Sequence, residues 1–337
     1  MSSRLVEYIK LIRLPGWGAY CITAVFGAIT VGVLDPFLLA LLFAVGGCVT
    51  LYGFVLNDYV DVATDNLSED LISRPLVKGS IPRSHALYIA IGGVIGSYLL
   101  ILLGMIMGWF IQNMVTILVF TLAVILAAIY NIYGKKFPGA DVFVAGATAV
   151  YCVFGAMAVS PTITLLTWVV TLVTFFQVMY MNVIIGGLKD ADHDYKLGVK
   201  NIALTLGVTV TKNSLYIPFS FKAMGLLFRS CSLAIMYIPI FLLDDFMYQL
   251  WQPIIMGLMF LGVFAATIKM LNLRQFNRDK LRKLISIQVF LRYSIVPVML
   301  LSMMGYAIGV FLIFFPVLWF AVFNRLLYGS SSKPETL

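Results

Sequence analysis

Charged residues are scarce in this sequence. They make up 11% of its 337 residues, and only 15 residues are Asp or Glu, whereas about 25% of the residues in a soluble domain are charged. Histidine occurs twice and cysteine four times, without the spacing of a zinc site, and the cysteines lie inside apolar runs. No long polar segment is present, and 61% of the residues are hydrophobic. This composition excludes an ordinary soluble protein and predicts a single all-α polytopic membrane protein.

Apolar runs near about 20 residues, the length that crosses a bilayer, recur along the chain. They predict spans at 17–33, 37–56, 86–108, 111–131, 140–160, 163–187, 223–243 and 250–271. Residues 288–328 are too long for one straight span and contain Gly305 and Gly309, so they form either one span plus a re-entrant end or a tight hairpin. The total is about nine helices, with ten as the alternative. The predicted order is an interfacial amphipathic helix, a transmembrane domain and a polar tail, at 1–16, 17–328 and 329–337.

Basic residues lie on one side of the predicted membrane. Lys and Arg precede the first span and occupy the loops after spans 2, 4, 6 and 8, whereas the loops after spans 1, 3, 5 and 7 contain none. By the positive-inside rule, the N-terminus and the basic loops are cytoplasmic. The net charge of +8 therefore belongs to one membrane face, where it suits anionic lipid or a phosphorylated substrate and is no evidence for nucleic acid.

Acidic residues cluster at the ends of two even-numbered spans, on the basic face. In the first cluster, Asn57, Asp61 and Asp65 are four residues apart and form one stripe if span 2 continues as a helix. In the second cluster, Asp190 and Asp194 share a face in the same way. Two such carboxylate stripes would repel each other unless a cation lay between them. The hard oxygen ligands predict Mg²⁺, with Mn²⁺ as the alternative.

Solvated loop charges are the other interpretation of these acids. We keep it for Glu69, Asp70 and Asp192, with a helix cap or a salt bridge as the next interpretation of each. It is weak for the two stripes, because more than half of the few acids lie at two helix ends on one face.

The two clusters resemble the signatures of the UbiA-type intramembrane prenyltransferases. The first signature, Asn-Asp-x-x-Asp-x-x-x-Asp, stands at 57–65, and the second, Asp-x-x-x-Asp, at 190–194. A third family element, a Tyr and a Lys at the end of span 4, is matched within 130–136. The resemblance runs from about residue 12 to residue 329, and its one departure near a motif is Asn201, where many members have Thr. It implies a helix bundle around a central cavity open to lipid.

The resemblance implies transfer of a prenyl group from a polyprenyl diphosphate to a lipophilic acceptor within the membrane. The metal ligands that it implies are Asn57, Asp58, Asp61, Asp65, Asp190 and Asp194. The residues expected to be catalytic are Asp61, Asp194, Tyr130 and Lys135. The residues expected to bind substrate are Asn57, Arg74, Lys78, Tyr133, Asn182 and Lys189, of which Asn182 shares a helix face with Asp190.

The acceptor is not encoded by any motif. An aromatic quinone precursor is the favoured acceptor, and a glyceryl phosphate lipid, as in ether-lipid synthesis, is the alternative. A secondary transporter is the alternative from another class, but its site would lie near the membrane midplane at broken helices, whereas these carboxylates collect at one face. Membrane lipid is the only further partner expected, with no nucleic acid and no obligate protein partner.

Overall fold

The computed structural model describes residues 3–67, 71–211, 214–244 and 246–329. Glu69, Asp70 and all but the first residue of the predicted tail at 329–337 lie outside the described residues. The helices are α1 (Ser3–Leu11), a 3₁₀ turn (Leu14–Gly16), α2 (Trp17–Tyr20), α3 (Thr23–Thr30), α4 (Pro36–Asp65), α5 (Arg83–Ile106), α6 (Met114–Tyr133), α7 (Asp141–Val159), α8 (Leu165–Met179), a π-helix (Tyr180–Gly186), α9 (Gly187–Lys189), α10 (Ala191–Leu197), α11 (Ile202–Thr205), α12 (Phe219–Leu242), α13 (Trp251–Leu271), α14 (Arg278–Met299) and α15 (Leu301–Tyr328). Between α11 and α12, β1 (Thr209–Thr211) pairs antiparallel with β2 (Ser214–Tyr216), Val210 opposite Leu215.

The predicted membrane architecture is confirmed. In the described part of the chain, eight helical segments are long and apolar enough to cross a membrane, and a bent pair, Arg4–Leu11 with Leu14–Thr30, makes a ninth if it counts as one span. The pair bends by 43°. Arg13, at the bend, has a left-handed backbone (φ 49°), and Pro15 follows it. The chain is thus an all-α polytopic protein with eight or nine candidate spans in its described residues, while the interfacial position of the first helix stays a prediction.

The chain packs into two compact units. Unit 1 consists of Met1–Ile132, Tyr151–Ile163 and Phe315–Leu337, and unit 2 of Tyr133–Val150 and Thr164–Phe314. The first acidic cluster belongs to unit 1 and the second to unit 2.

Small residues allow close helix packing inside unit 1. A Cβ added at Gly27 of α3 would lie 2.9 Å from the amide nitrogen of Ala156 and would also meet the Cys152 carbonyl oxygen. A Cβ added at Gly155 of α7 would lie 2.6 Å from the Cα of Ala24. The two backbones approach each other so closely that only glycine fits at both positions.

The C-terminal region differs from the sequence prediction. Its first helix begins at Arg278 and not at 288, because Asn277 caps it by accepting a hydrogen bond from the Lys280 amide at 2.9 Å. Four of the basic residues after span 8, namely Arg278, Lys280, Arg282 and Lys283, therefore lie in the first turns of α14. An apolar run predicts too late a start for this helix, because these charges lower the hydropathy of its first turns.

The chain bends back sharply near the start of α15. Gly305 has φ 73° and ψ 160°, outside the helical region. A Cβ added at Gly309 would lie 3.6 Å from the Cα of Leu301, whereas residues eight apart in a straight helix are about 12 Å apart. Within 288–328, the described helix that is long and apolar enough to cross a membrane is Leu301–Tyr328, so the choice between the two alternatives stays a prediction.

Candidate active site

The helix α4 carries the whole first motif. It begins after Asp35, whose carboxylate accepts a hydrogen bond from the Leu38 amide at 2.9 Å, and it continues for 30 residues to Asp65. Residues four apart on a helix lie on one face. Asn57, Asp61 and Asp65 therefore form the stripe that the sequence predicts.

Two arginines contact two buried aspartates of this motif. Asp58 is 5% exposed and Asp65 is 3% exposed. Arg13 donates to Asp58, and Arg74 donates from Nη1 to Asp58 Oδ1 at 3.3 Å and to Asp65 Oδ2 at 2.5 Å. Each buried carboxylate thus has a guanidinium partner, which offsets the cost of removing it from water.

An apolar cluster brings these arginines to α4. Leu11 at the end of α1, Leu76 after Arg74, and Ile81 pack around Tyr52 and Val55 of α4. The cluster places the residue after α1 and the loop after α4 beside the end of the same helix. Asp58 therefore stands in the structure as an ion-pair partner of Arg13 and Arg74, and its predicted role as a metal ligand is not tested.

The other predicted residues of unit 1 lie near this helix or in the following loop. Asn57 and Asp61 are half-buried, and Lys78 is exposed, in a turn where its amide donates to the Arg74 carbonyl at 2.8 Å. Tyr130 is half-buried near the end of α6. The neighbouring Asn131 donates to the Gly53 carbonyl at 3.3 Å and so ties that end of α6 to α4.

The second motif lies in unit 2, where α9 ends and α10 begins. Asp190 leaves the helical conformation (φ −102°, ψ 4°), and its carboxylate lies 3.7 Å from Lys189 Nζ. Asp194 lies one turn along α10, and its carboxylate accepts a hydrogen bond from Asn201 Nδ2 at 2.6 Å. Asn201 also caps α11, since its Oδ1 accepts from the Leu204 amide at 2.8 Å. The residue that departs from the family pattern is therefore a direct partner of a predicted metal ligand.

Electrostatics distinguish Asp194 from a solvated acid. Burial, with the charge of Asp190 as a second cause, raises the pKa of Asp194 to about 6, while Lys135, Asn201 and His193 act in the opposite direction. Lys135 thus lies within electrostatic range of Asp194, and its backbone carbonyl accepts from the Lys200 amide at 3.4 Å. A carboxylate in this environment is one that a nearby cation would stabilise.

Asp192 points to another partner. Arg278 Nη2 lies 3.0 Å from each of its carboxylate oxygens, and the same guanidinium contacts His193. The second interpretation of Asp192, a salt bridge, is therefore correct, and the solvated interpretation is wrong.

The remaining predicted residues of unit 2 have local contacts. Tyr133 is exposed, and Lys136 Nζ lies 4.8 Å from the centre of its ring. Asn182 donates to the Val178 carbonyl at 3.0 Å. These placements leave the predicted substrate-binding roles untested.

Sequence reasoning missed several charged and polar residues beside the motifs. Arg13 enters the sequence prediction only through its positive charge, and Arg229 and Arg292 do not enter it. The signal for the last two is an arginine inside a helix, buried to 2% and 3% exposure, because such residues are rare where lipid is the solvent and mark function by default.

The donor types suit a divalent cation, although they are not gathered as a finished metal site. Among the described residues, no three His, Cys, Asp or Glu side chains are grouped so that they could hold a metal ion. Mg²⁺ ordinarily binds one or two carboxylates and completes its shell with water and substrate phosphate. The stripe on α4 and the Asp190 and Asp194 pair each offer carboxylates of that kind.

Comparison with known proteins agrees with these observations. The model of the UbiA prenyltransferase family matches residues 19–252, well over half of the chain. The chain is 28% identical over 219 residues to a 4-hydroxybenzoate octaprenyltransferase of Blochmanniella floridana, covering 61% of this chain and 72% of that protein. It is also 28% identical over 210 residues to a digeranylgeranylglyceryl phosphate synthase of Saccharolobus solfataricus, covering 60% of this chain and 70% of that protein.

A solved structure shares the fold. The UbiA homologue of Archaeoglobus fulgidus, bound to DMAPP and Mg²⁺, matches with a TM-score of 0.60 at 16% identity, covering 87% of this chain and 99% of that chain. The resemblance predicted from the motifs, and with it the class of a prenyltransferase, is confirmed.

Proposed function

This chain belongs to the UbiA prenyltransferase family, and from that premise we propose that it is an Mg²⁺-dependent enzyme that transfers a polyprenyl group from its diphosphate to an aromatic acceptor in the membrane. The observation that carries the proposal is the stripe on α4, where Asn57, Asp61 and Asp65 share a face beside Arg74. Oxygen donors next to a guanidinium are what a metal-bound diphosphate requires.

Charge neutralisation is the first task of the site. Divalent cations held by Asn57, Asp61 and Asp65 of the first motif, and by Asp190 and Asp194 of the second, would neutralise diphosphate charge and favour departure of the group. In this assignment Asp58 is a positioning residue, because it is paired with two arginines. Mg²⁺ in the related Archaeoglobus fulgidus structure supports the same cofactor here.

Basic side chains bind the diphosphate, and aromatic side chains stabilise the allylic cation. Arg74, Lys78, Lys135 and Lys189 bind phosphate oxygens as the allylic C–O bond breaks and both bonding electrons leave with the diphosphate. The π-faces of Tyr130 and Tyr133 stabilise the allylic cation while Asn182 helps to line the acceptor site. An aromatic carbon of the acceptor then bonds to the cation, and the proton that it loses restores the aromatic ring.

A glyceryl phosphate lipid is the second candidate acceptor. The relative in Saccharolobus solfataricus is named for that reaction, at the same 28% identity as the hydroxybenzoate enzyme. The donor, the cation and the bond that breaks are the same in both cases. The two candidates differ only in whether the prenyl cation meets an aromatic carbon or a hydroxyl oxygen.

A product assay separates them. Purified protein in lipid nanodiscs is incubated with Mg²⁺, one of three donors (geranyl, farnesyl or geranylgeranyl diphosphate) and either 4-hydroxybenzoate or geranylgeranylglyceryl phosphate. Products are identified by mass spectrometry. We expect a prenylated benzoate that does not form in EDTA. Product only from the glyceryl phosphate would favour the second candidate, and no product with either acceptor across donors of three chain lengths would contradict the proposed reaction.

A further inference from the structure

A π-helix lies directly before the second motif. It covers Tyr180–Gly186 and ends where the Gly187 amide donates to the Asn182 carbonyl, five residues back. Such segments are rare and are often found at functional sites. One residue of an α-helix turns the chain by about 100°. A π-helical turn contains one residue more than an α-helical turn. The conformation of this segment therefore sets the direction in which Asp190 and Asp194 point.

Side chains bind the two carbonyls at the start of this segment. Arg292 of α14 donates from Nη1 to the Gln177 carbonyl at 3.4 Å, which the Tyr180 amide also contacts. Asn182 donates to the Val178 carbonyl at 3.0 Å. Backbone carbonyls within a membrane have no water to bind, so side-chain donors stabilise a widened turn there.

Tyr180, the first residue of the π-helix, is contacted by side chains of two neighbouring helices. Its hydroxyl lies 3.0 Å from Thr267 Oγ1 of α13. The guanidinium carbon of Arg229, in α12, lies 3.5 Å from the centre of its ring. Gln288 of α14 joins these groups, because its Oε1 accepts from Arg229 at 2.8 Å and from Thr267 at 3.2 Å.

The two arginines are costly to bury. Neither forms a salt bridge with an acid in the described residues, and the Nε of each has no hydrogen-bond partner. A buried charge without a counter-charge lowers stability. Apolar residues in their place would pack more cheaply, so stability alone does not account for them.

We propose that Arg229 and Arg292 are positioning residues that hold the π-helix and thereby orient the second motif. Arg229 fixes the ring at its first residue, and Arg292 binds the carbonyl and the thioether sulfur on either side of that residue, at Gln177 and Met181. The effect on catalysis rests on the proposed function, whereas the effect on conformation does not.

Electron paramagnetic resonance tests the conformational claim. Spin labels are attached to cysteines introduced at Tyr195 of α10 and Ile268 of α13, which are 55% and 47% exposed, after the four native cysteines are replaced. Labels at Phe241 and Ile268 form a reference pair that does not include the second motif. The Arg292→Met variant is compared with Arg292→Lys, which keeps a cationic donor, and with Arg282→Met, which changes an exposed arginine of the same helix.

We expect Arg292→Met to shift the Tyr195–Ile268 distance by several ångströms, on the order of 5 Å for a rotation of one residue, and to leave the reference distance unchanged. Arg292→Lys and Arg282→Met should retain the wild-type distance. In the product assay, Arg292→Met should lower kcat and Arg292→Lys should restore it.

An unchanged Tyr195–Ile268 distance in Arg292→Met would overturn the proposal, whatever the activity. If that variant loses the reference distance because it does not fold, Thr267→Val is measured instead, since it removes the contacts of the Thr267 hydroxyl with Tyr180 and Gln288 and leaves both arginines in place. A shift in the folded Thr267→Val protein supports the proposal, and no shift overturns it. Absence of prenyl transfer in the wild type would contradict the proposed function alone, because the distances are measured without substrate.

Discussion

Arg13 is the residue that links the N-terminal segment to the first motif. Its guanidinium contacts Asp58, 45 positions later in the chain, and stacks 5.2 Å from the centre of the Phe54 ring. Its left-handed backbone ends α1 and directs the side chain to α4. A neutral side chain here would leave Arg74 as the one cationic partner of Asp58 among the residues that the structure describes.

Replacing Arg13 with Met should therefore destabilise the protein. Breaking a buried pair by removing one partner costs about 3–5 kcal/mol, and since Arg74 remains at Asp58 we expect roughly 2 kcal/mol. Thermal unfolding in detergent measures the loss. The control is Lys10→Met on α1, whose partly exposed pair with Glu7 at 3.5 Å should contribute less than about 1 kcal/mol.

A double-mutant cycle checks the cause. If Arg13 acts through Asp58, the double variant of Arg13→Met with Asp58→Asn loses clearly less stability than the sum of the single losses. Additive losses would mean that the two side chains act independently, and the pairing described here would be wrong.

Sequence reasoning reached the acids of the site but not which side chains pair with them. The spacing of Asn57, Asp61 and Asp65 predicts one helix face whatever surrounds the helix, because the period of a helix is fixed. Arg13 and Asn201 could not be found in this way, since no local rule relates a residue to one that folding brings to it. Asp192 had three interpretations for the same reason, a solvated charge, a helix cap or a salt bridge, and the position of Arg278 identifies the salt bridge.

At the scale of helices, glycine contacts control the packing of α3 against α7. Gly27→Ala should lower stability by about 1–3 kcal/mol, the usual cost of overpacking, because the added methyl group meets the Cys152 carbonyl and the Ala156 amide. Gly92→Ala in α5 is the matched control, since no atom lies within 4 Å of its added Cβ. Thermal unfolding of both variants in the same detergent gives the comparison. Equal stability of the two would contradict the close approach.

Helix positions could be predicted from the sequence where a helix is apolar and carries few charges along its length. Apolar runs located α4 to α8, α12 and α13, because lipid imposes a length and a composition on a spanning helix. The start of α14 was missed, since its first turns are basic. The π-helix was missed because local sequence carries no rule for a widened turn, and tertiary contacts from Arg229 and Arg292 accompany it.

For the whole molecule, the distribution of Lys and Arg predicts which loops face the cytoplasm. Single cysteines at Lys78 and Lys196, in a protein without its native cysteines, should resist a membrane-impermeant maleimide added outside cells. A cysteine at Asp244, in a loop without a basic residue, should react. We expect this because the bias of basic residues sets the orientation of short loops.

The control is labelling after the membrane has been permeabilised, when cysteines at all three positions should react. Labelling of Lys78 and Lys196 from opposite sides would contradict the predicted topology. It would also contradict the proposal that the aspartates of both motifs serve one reaction.

The most direct test of the central claim, a cation-dependent prenyl diphosphate site built on aspartates of the two motifs, is binding of geranylgeranyl diphosphate measured by calorimetry as Mg²⁺ is varied. Wild type and Asp244→Asn, a change of an exposed acid outside both motifs, should bind only when Mg²⁺ is present. Asp61→Ala and Asp194→Ala should each weaken that binding by at least about 10-fold, since even outer-shell partners of a metal change its affinity by about 10–100-fold. Binding that persists in EDTA, or that neither substitution weakens, would contradict the account.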